Sequence, residues 1–179
     1  MKKGLYLTIF FFLNSFISIA QTESVPKTPF TKMYLSVWLE ATKHCMEVAE
    51  AMPEKLYAFR PTPKSKTFAE QMVHIGASVP LLTKRYVQGL EVSPNNPDAN
   101  TMSKAEIIAF LQKGFDYTIA VIKTIEQKKL DEYCEMYHSG NKVNRAFALF
   151  YVQDHMTNHR AKANLYIRMN SITPPEYTW

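Results

Sequence analysis

The chain has 179 residues, 46% of them hydrophobic and 13% aromatic, which suffices for one buried core and excludes a disordered protein. Its formal charge of +5 is spread without a basic block, so the footprint of a nucleic-acid binder is missing. Cys45 and Cys134 are too few for a disulfide framework: they are either one disulfide or two free thiols, with Cys45 a small hydrophobe on a helix face.

Met1, Lys2 and Lys3 precede the apolar run GLYLTIFFFLNSFISIA, which exits through small residues at Ser18 and Ala20. A basic start, an apolar middle and a small-x-small exit describe a signal peptide. A membrane anchor needs about 20 apolar residues, and Asn14 and Ser15 interrupt this run. The expected layout is a signal peptide over residues 1–20, a flexible polar leader over 21–30 and one domain over 31–179. Cleavage removes Lys2 and Lys3, lowers the side-chain charge from +5 to +3, and leaves an exported chain, periplasmic or secreted, with no integral membrane segment. No Cys follows the exit, so no lipid anchor is expected.

The first predicted helix, residues 31–52, carries Met33, Val37, Trp38, Ala41, Cys45 and Val48 at three-to-four spacing, and Pro53 stops it. Lys32, Glu40, Lys43 and Glu47 occupy its other side, where His44 reads as a surface residue. The link EKLYAFRPTPKSK holds two prolines, and a second helix is predicted from residue 66 or 67 to about 89. Its core stripe is Phe68, Met72, Ile75, Val79, Leu82 and Tyr86, bordered by a polar strip of Thr67, Gln71, His74 and Ser78. Pro80 removes a backbone donor inside this helix and is expected to bend or split it.

SPNNPDAN is a turn-rich linker, after which SKAE fits a capping box opening a third helix over residues 104–127. Ile107, Phe110, Leu111, Phe115, Thr118, Val121, Ile122 and Ile125 form its apolar side. Between residues 128 and 142 the periodicity fails, SGN marks a turn, and His138 reads as another surface residue. A fourth helix over 143–170 ends before Thr173, Pro174 and Pro175. No stretch shows sustained strand alternation, so the fold class is all-α: a four-helix bundle, up-and-down or crossover.

On the fourth helix Phe147, Phe150, Tyr151, Ala161 and Leu165 read as bundle-facing, and the turn between them offers Asp154, His155, Asn158 and His159. Histidines at i and i+4 aim at one point, which suits a divalent metal, although an HxxxH pair alone serves equally well at a solvent edge. A zincin peptidase needs Glu directly after the first His, and Met156 stands there. If the second and fourth helices pack face to face, His74 joins His155 and His159. Three imidazoles with open positions are a catalytic coordination type. Neutral imidazoles favour zinc, nickel, copper or iron over magnesium or calcium. Glu70 and Asp154 are candidates to accept a ligand's second ring proton, with solvated surface carboxylates as the alternative. Tyr151 either donates to a bound oxyanion or is an aromatic at the core edge, and Arg160 and Arg168 read as outer-face residues.

The runs TFAEQMVHIGAS and DHMTNHRAKANLYIRMNSITPPEY resemble the DinB family, the YfiT-like metalloenzymes, whose bundle carries a His in the second helix and an HxxxH in the last. The resemblance extends from the tryptophan-bearing first helix through RPTPKSKTF to the terminal PPEY. It implies a four-helix bundle of up-down-down-up type and assigns the metal role to His74, His155 and His159. Members often double the His before the Arg, whereas here Asn158 precedes His159 and Arg160; the ligand spacing survives. Many members are cytoplasmic, and some are thiol-dependent transferases or isomerases.

The expected function is that of a metal-dependent enzyme using zinc or nickel, either a small-molecule hydrolase or a thiol-dependent transferase, with no catalytic side chain assigned. The alternative is a non-catalytic protein that binds a metal or small ligand outside the cytoplasm. The expected partner is an unidentified small-molecule substrate, with no nucleic acid and with a homodimer left open.

Overall fold

The computed structural model describes residues 29–137 and 139–177; the expected signal peptide, most of the expected leader and His138 lie outside the described residues. Four long helices form the bundle: α1 (Phe30–Ala51), α2 (Phe68–Leu82), α3 (Lys104–Thr124) and, after a short α4 (Gln127–Asp131) and a hairpin of β1 (Tyr133–Glu135) with β2 (Lys142–Asn144), α5 (Arg145–Met169).

The helix starts follow from local chemistry. Ser103 and Glu106 form the capping box anticipated for α3, and Thr67 and Glu70 form a second one on α2. There the Glu70 N–H donates to Thr67 Oγ1 at 3.0 Å and the Thr67 N–H donates to Glu70 Oε2 at 2.6 Å, so two otherwise orphaned donors are satisfied. Asn144 caps α5 by accepting from the Phe147 N–H at 2.8 Å.

Contacts between helices give their directions. α1 and α2 each pack against α3 and α5. The Tyr34 hydroxyl donates to Leu149 O and the Arg160 guanidinium to Ala41 O, so α1 and α5 run the same way. Gln71 meets Tyr166 and, one turn later, His74 meets His155, so α2 is antiparallel to α5. Thr83 meets Thr118 as Gly76 meets Gly114, so α2 and α3 are parallel. The bundle is therefore up-down-down-up, the crossover form, around a core that includes Trp38, Phe68, Met72, Ile75, Leu111, Phe115, Leu149 and Met156.

Pro80 neither splits α2 nor ends it. The helix continues to Leu82 and then widens into a π-helical stretch over Thr83–Gln88, closed by Gly89 in the left-handed region at φ +75°. Proline has no N–H for the Gly76 carbonyl, and that carbonyl lies against Gly114, where a Cβ would come within 2.6 Å of it. The close approach of α2 and α3 thus needs a glycine on the facing helix.

Three expectations are corrected. Residues 127–144 hold the short α4 and an antiparallel hairpin pairing Tyr133 with Asn144, Cys134 with Val143 and Glu135 with Lys142; strands of three residues are too short to show an alternation. On α5 the core arc is Leu149, Val152, Met156, Ala163 and Ile167, while Phe147, Phe150, Ala161 and Leu165 are exposed. That helix packs on α1 to one side and α2 to the other, so its buried arc is wide and includes polar residues.

His44 and Arg160, read as surface residues, are buried at 6% and 5% exposure. His44 Nδ1 lies 3.0 Å from Glu47 Oε2, Arg160 donates to Ala41 O at 3.2 Å, and the Tyr177 ring contacts both side chains. Arg168 is exposed, as expected. Both cysteines are free, and burial pushes the Cys45 thiol pKa up to about 12. Among the described residues no helix is long and apolar enough to cross a membrane.

Candidate metal centre

The antiparallel contact of α2 with α5 brings His74 opposite His155 and His159. Each contributes one nitrogen to a cluster whose ligand atoms all lie within 4.8 Å of one another. His74 Nε2 and His155 Nε2 are 3.1 Å apart, and the three ring centroids are separated by 4.4, 4.8 and 5.2 Å. Two nitrogens sharing a tetrahedral ion at about 2.0–2.1 Å would stand about 3.3 Å apart, so the 3.1 Å pair needs little adjustment and the third a modest closure.

His74 and His155 are partly exposed and His159 is buried, which leaves an open side above a closed floor. Met156 is 0% exposed, so the position after the first histidine is core and holds no base.

All three imidazoles favour the neutral form that binds metals. Burial lowers the His74 pKa to about 4, helped by His155, Lys66 and Lys162. Burial lowers His159 to about 3, with His74, His155 and both lysines adding to the effect. His155 is lowered by burial and by Lys162, with Asp154 acting in the opposite sense. A donor set of neutral nitrogens suits the softer divalent metals, and the residues present fit such an ion.

The partner of the ligand ring is a residue that sequence reasoning overlooked. His159 Nδ1 lies 2.7 Å from Gln71 Oε1, and Gln71 Nε2 donates to the Tyr166 hydroxyl at 3.2 Å, all within the buried interior. The signal was available: Gln71 lies one turn before His74 on the polar strip of α2, and Tyr166 lies seven residues after His159. Glu70 is not that partner, because its carboxylate is engaged by the cap of α2. Asp154 is exposed and acts on His155 through charge. Tyr151 is partly buried, its ring 6.3 Å from His155 and 5.9 Å from Tyr86, and burial raises its pKa so that the hydroxyl keeps its proton at neutral pH.

Comparison with known proteins agrees with the fold. A family model described as the DinB superfamily matches residues 39–163. A DinB-like protein from Bacillus cereus superposes with a TM-score of 0.69 at 16% identity, over 82% of this chain and 97% of that one. A DinB-like protein from Bacillus subtilis gives 0.65 at 20% identity over the same shares of the two chains. YfiT from Bacillus subtilis, a probable metal-dependent hydrolase with an unusual four-helix bundle topology, gives 0.59 at 16% identity over 84% of this chain and 93% of that one. At such identities the likeness is one of fold. No curated protein matches.

Proposed function

This chain belongs to the DinB superfamily, and on that premise we propose that it is a metal-dependent enzyme of the extracytoplasmic space in which His74, His155 and His159 hold a divalent ion, zinc or nickel, and act on a small molecule. The reaction is hydrolysis or thiol-dependent transfer. The observation that carries the reading is the convergence of three neutral histidine nitrogens within 4.8 Å, presented from two helices with one side open. The description of YfiT as a probable metal-dependent hydrolase supports it by analogy of fold. Export is supported by the basic start, apolar run and small-residue exit of residues 1–20.

When bound there, the ion supplies Lewis acidity, which makes water or a thiol nucleophilic at neutral pH and polarises a carbonyl. The chain's own residues do the rest. His74 and the HxxxH pair fix three positions from one side, so a substrate enters from the partly exposed side of His74 and His155. His159 is itself buried, so water reaches the centre only from the side of His74 and His155. Burial keeps the rings unprotonated, and Lys66 and Lys162 add to that effect and favour an anionic group on the substrate. Tyr151, protonated at neutral pH, stands one turn before His155 as a donor to a developing oxyanion.

The test is the metal content of the purified mature domain beside that of His155→Ala, followed by turnover of esters, amides and thiol acceptors. Near-stoichiometric metal in the parent, lost in the variant, together with turnover of one substrate class is the expected result. Equal metal in both removes the centre. A loaded protein inert toward the whole panel returns it to a binding protein.

A further inference from the structure

The buried contact between His159, Gln71 and Tyr166 is built by no requirement of the bundle, because an apolar residue at 71 would fill the α2–α5 interface without two polar partners to satisfy. Its geometry has a consequence for metal binding. A neutral imidazole carries one proton, on Nδ1 or on Nε2, and only the nitrogen without it can take a metal.

Two settings of this network are self-consistent. In one, Gln71 presents its carbonyl oxygen to His159 and its amide nitrogen to Tyr166; His159 then carries its proton on Nδ1, and Nε2 is a free lone pair. In the other, the amide is turned over, its nitrogen donates to Nδ1, the Tyr166 hydroxyl donates to the carbonyl oxygen, and Nε2 holds the proton and is closed to metal. The structure holds the first setting, with Gln71 Oε1 2.7 Å from Nδ1 and Gln71 Nε2 3.2 Å from the Tyr166 hydroxyl. Gln71 and Tyr166 are 3% and 5% exposed, so water competes little for either partner. The Phe59 ring packs edge-on against Tyr166 at 5.9 Å and holds the phenol in place.

We infer that Gln71 is the positioning residue of the centre, one that accepts the His159 Nδ1 proton and so keeps Nε2 open to a metal, and that Tyr166 seats the Gln71 amide by accepting from its nitrogen. The inference rests on the proposed metal centre for its effect on affinity, but the tautomer itself is a property of the metal-free protein. An amide in this place accepts the ring proton without a negative charge. It therefore orients His159 while leaving the ring less basic than a carboxylate partner would, and an ion held there stays the stronger Lewis acid.

The experiment has two arms on the full mature protein. Nitrogen-15 NMR of the metal-free protein reads the tautomer of His159, and titration with zinc reads affinity for the parent, Gln71→Ala, Gln71→Glu and Tyr166→Phe. The parent should carry the proton on Nδ1. Gln71→Ala should mix the tautomers and weaken zinc binding by roughly 10–100-fold, the usual effect of losing such a partner. Tyr166→Phe should move both readouts the same way by less, and Gln71→Glu should restore Nδ1–H and bind zinc at least as tightly as the parent. Restoration by Gln71→Glu separates positioning from a fold defect in Gln71→Ala. A parent His159 protonated on Nε2, or zinc affinity unchanged in Gln71→Ala, overturns the inference. A parent that binds no zinc overturns the proposed centre instead, while the tautomer still decides the role of Gln71.

Discussion

Replacing Gly114 with Ala tests the helix contact on which the placement of His74 depends. A Cβ at 114 would lie 2.6 Å from the Gly76 carbonyl oxygen and 3.4 Å from Pro80 Cδ, so the obstruction is backbone and cannot swing aside. Overpacking of this kind costs about 1–3 kcal/mol, and a rigid obstacle belongs at the upper end. The gain in helix propensity from Gly to Ala returns about 1 kcal/mol, which leaves a net loss of about 2 kcal/mol. At roughly 2–4 °C per kcal/mol for a domain of this size, the midpoint of thermal unfolding falls by roughly 4–8 °C. Gly76→Ala is the control. Its Cβ meets Phe110 Cδ1 at 2.7 Å, but that ring is only partly buried and can turn, so the change stays within about 1 kcal/mol. Thermal and urea unfolding of both variants measure the difference. Gly114→Ala as stable as the parent, or Gly76→Ala the more damaging of the two, would refute the account of why α2 and α3 approach so closely.

The metal-free protein should lose stability as the pH falls below about 6.5. Above that value the histidines are neutral whether folded or not. Below it the unfolded chain takes up protons that His74, held down to about 4, and His159, held down to about 3, refuse in the fold. Urea midpoints from pH 7.5 to 4.5 should decline, and His159→Ala should flatten the decline; a rise toward acid would contradict the burial of these rings. Arg160→Ala should destabilise by about 2–4 kcal/mol through lost packing of a buried stem and of its contact with Tyr177, read by urea unfolding, and an effect under about 0.5 kcal/mol would place Arg160 outside the core. A thiol reagent should modify Cys134 in the native protein and reach Cys45 only after denaturation, since Cys45 is fully buried with a pKa of about 12. Two fast thiols, or none in unreduced protein, would contradict that assignment.

The bundle and the histidine set were readable because both rest on spacing. Core residues at three-to-four intervals mark the four long helices, and the SKAE capping box marks the start of α3 where it occurs. His155 and His159 share a face by their i, i+4 separation, and His74 needed only the packing of α2 on α5 to join them. What was misread depends on neighbours. The buried arc of α5 is set by the side that α1 covers, so Arg160 and, across from it on α1, His44 are interior although both are polar. Gln71 was visible as part of a polar strip, yet its role depends on Tyr166 and His159, more than 80 residues away in the chain. Pro80 was expected to bend or split α2, but it does not split it: a single missing N–H is tolerated where the freed carbonyl faces a glycine and the following turn widens.

X-ray absorption at the metal edge of the zinc- or nickel-loaded protein decides whether His74, His155 and His159 hold the ion, because it counts the donors. Three imidazole nitrogens are expected, at about 2.0–2.1 Å for zinc, with at least one further light-atom donor that added small ligands displace. His155→Ala should reduce the imidazole count or abolish loading. A first shell without three imidazoles, or one unchanged in His155→Ala, would contradict the three-histidine centre.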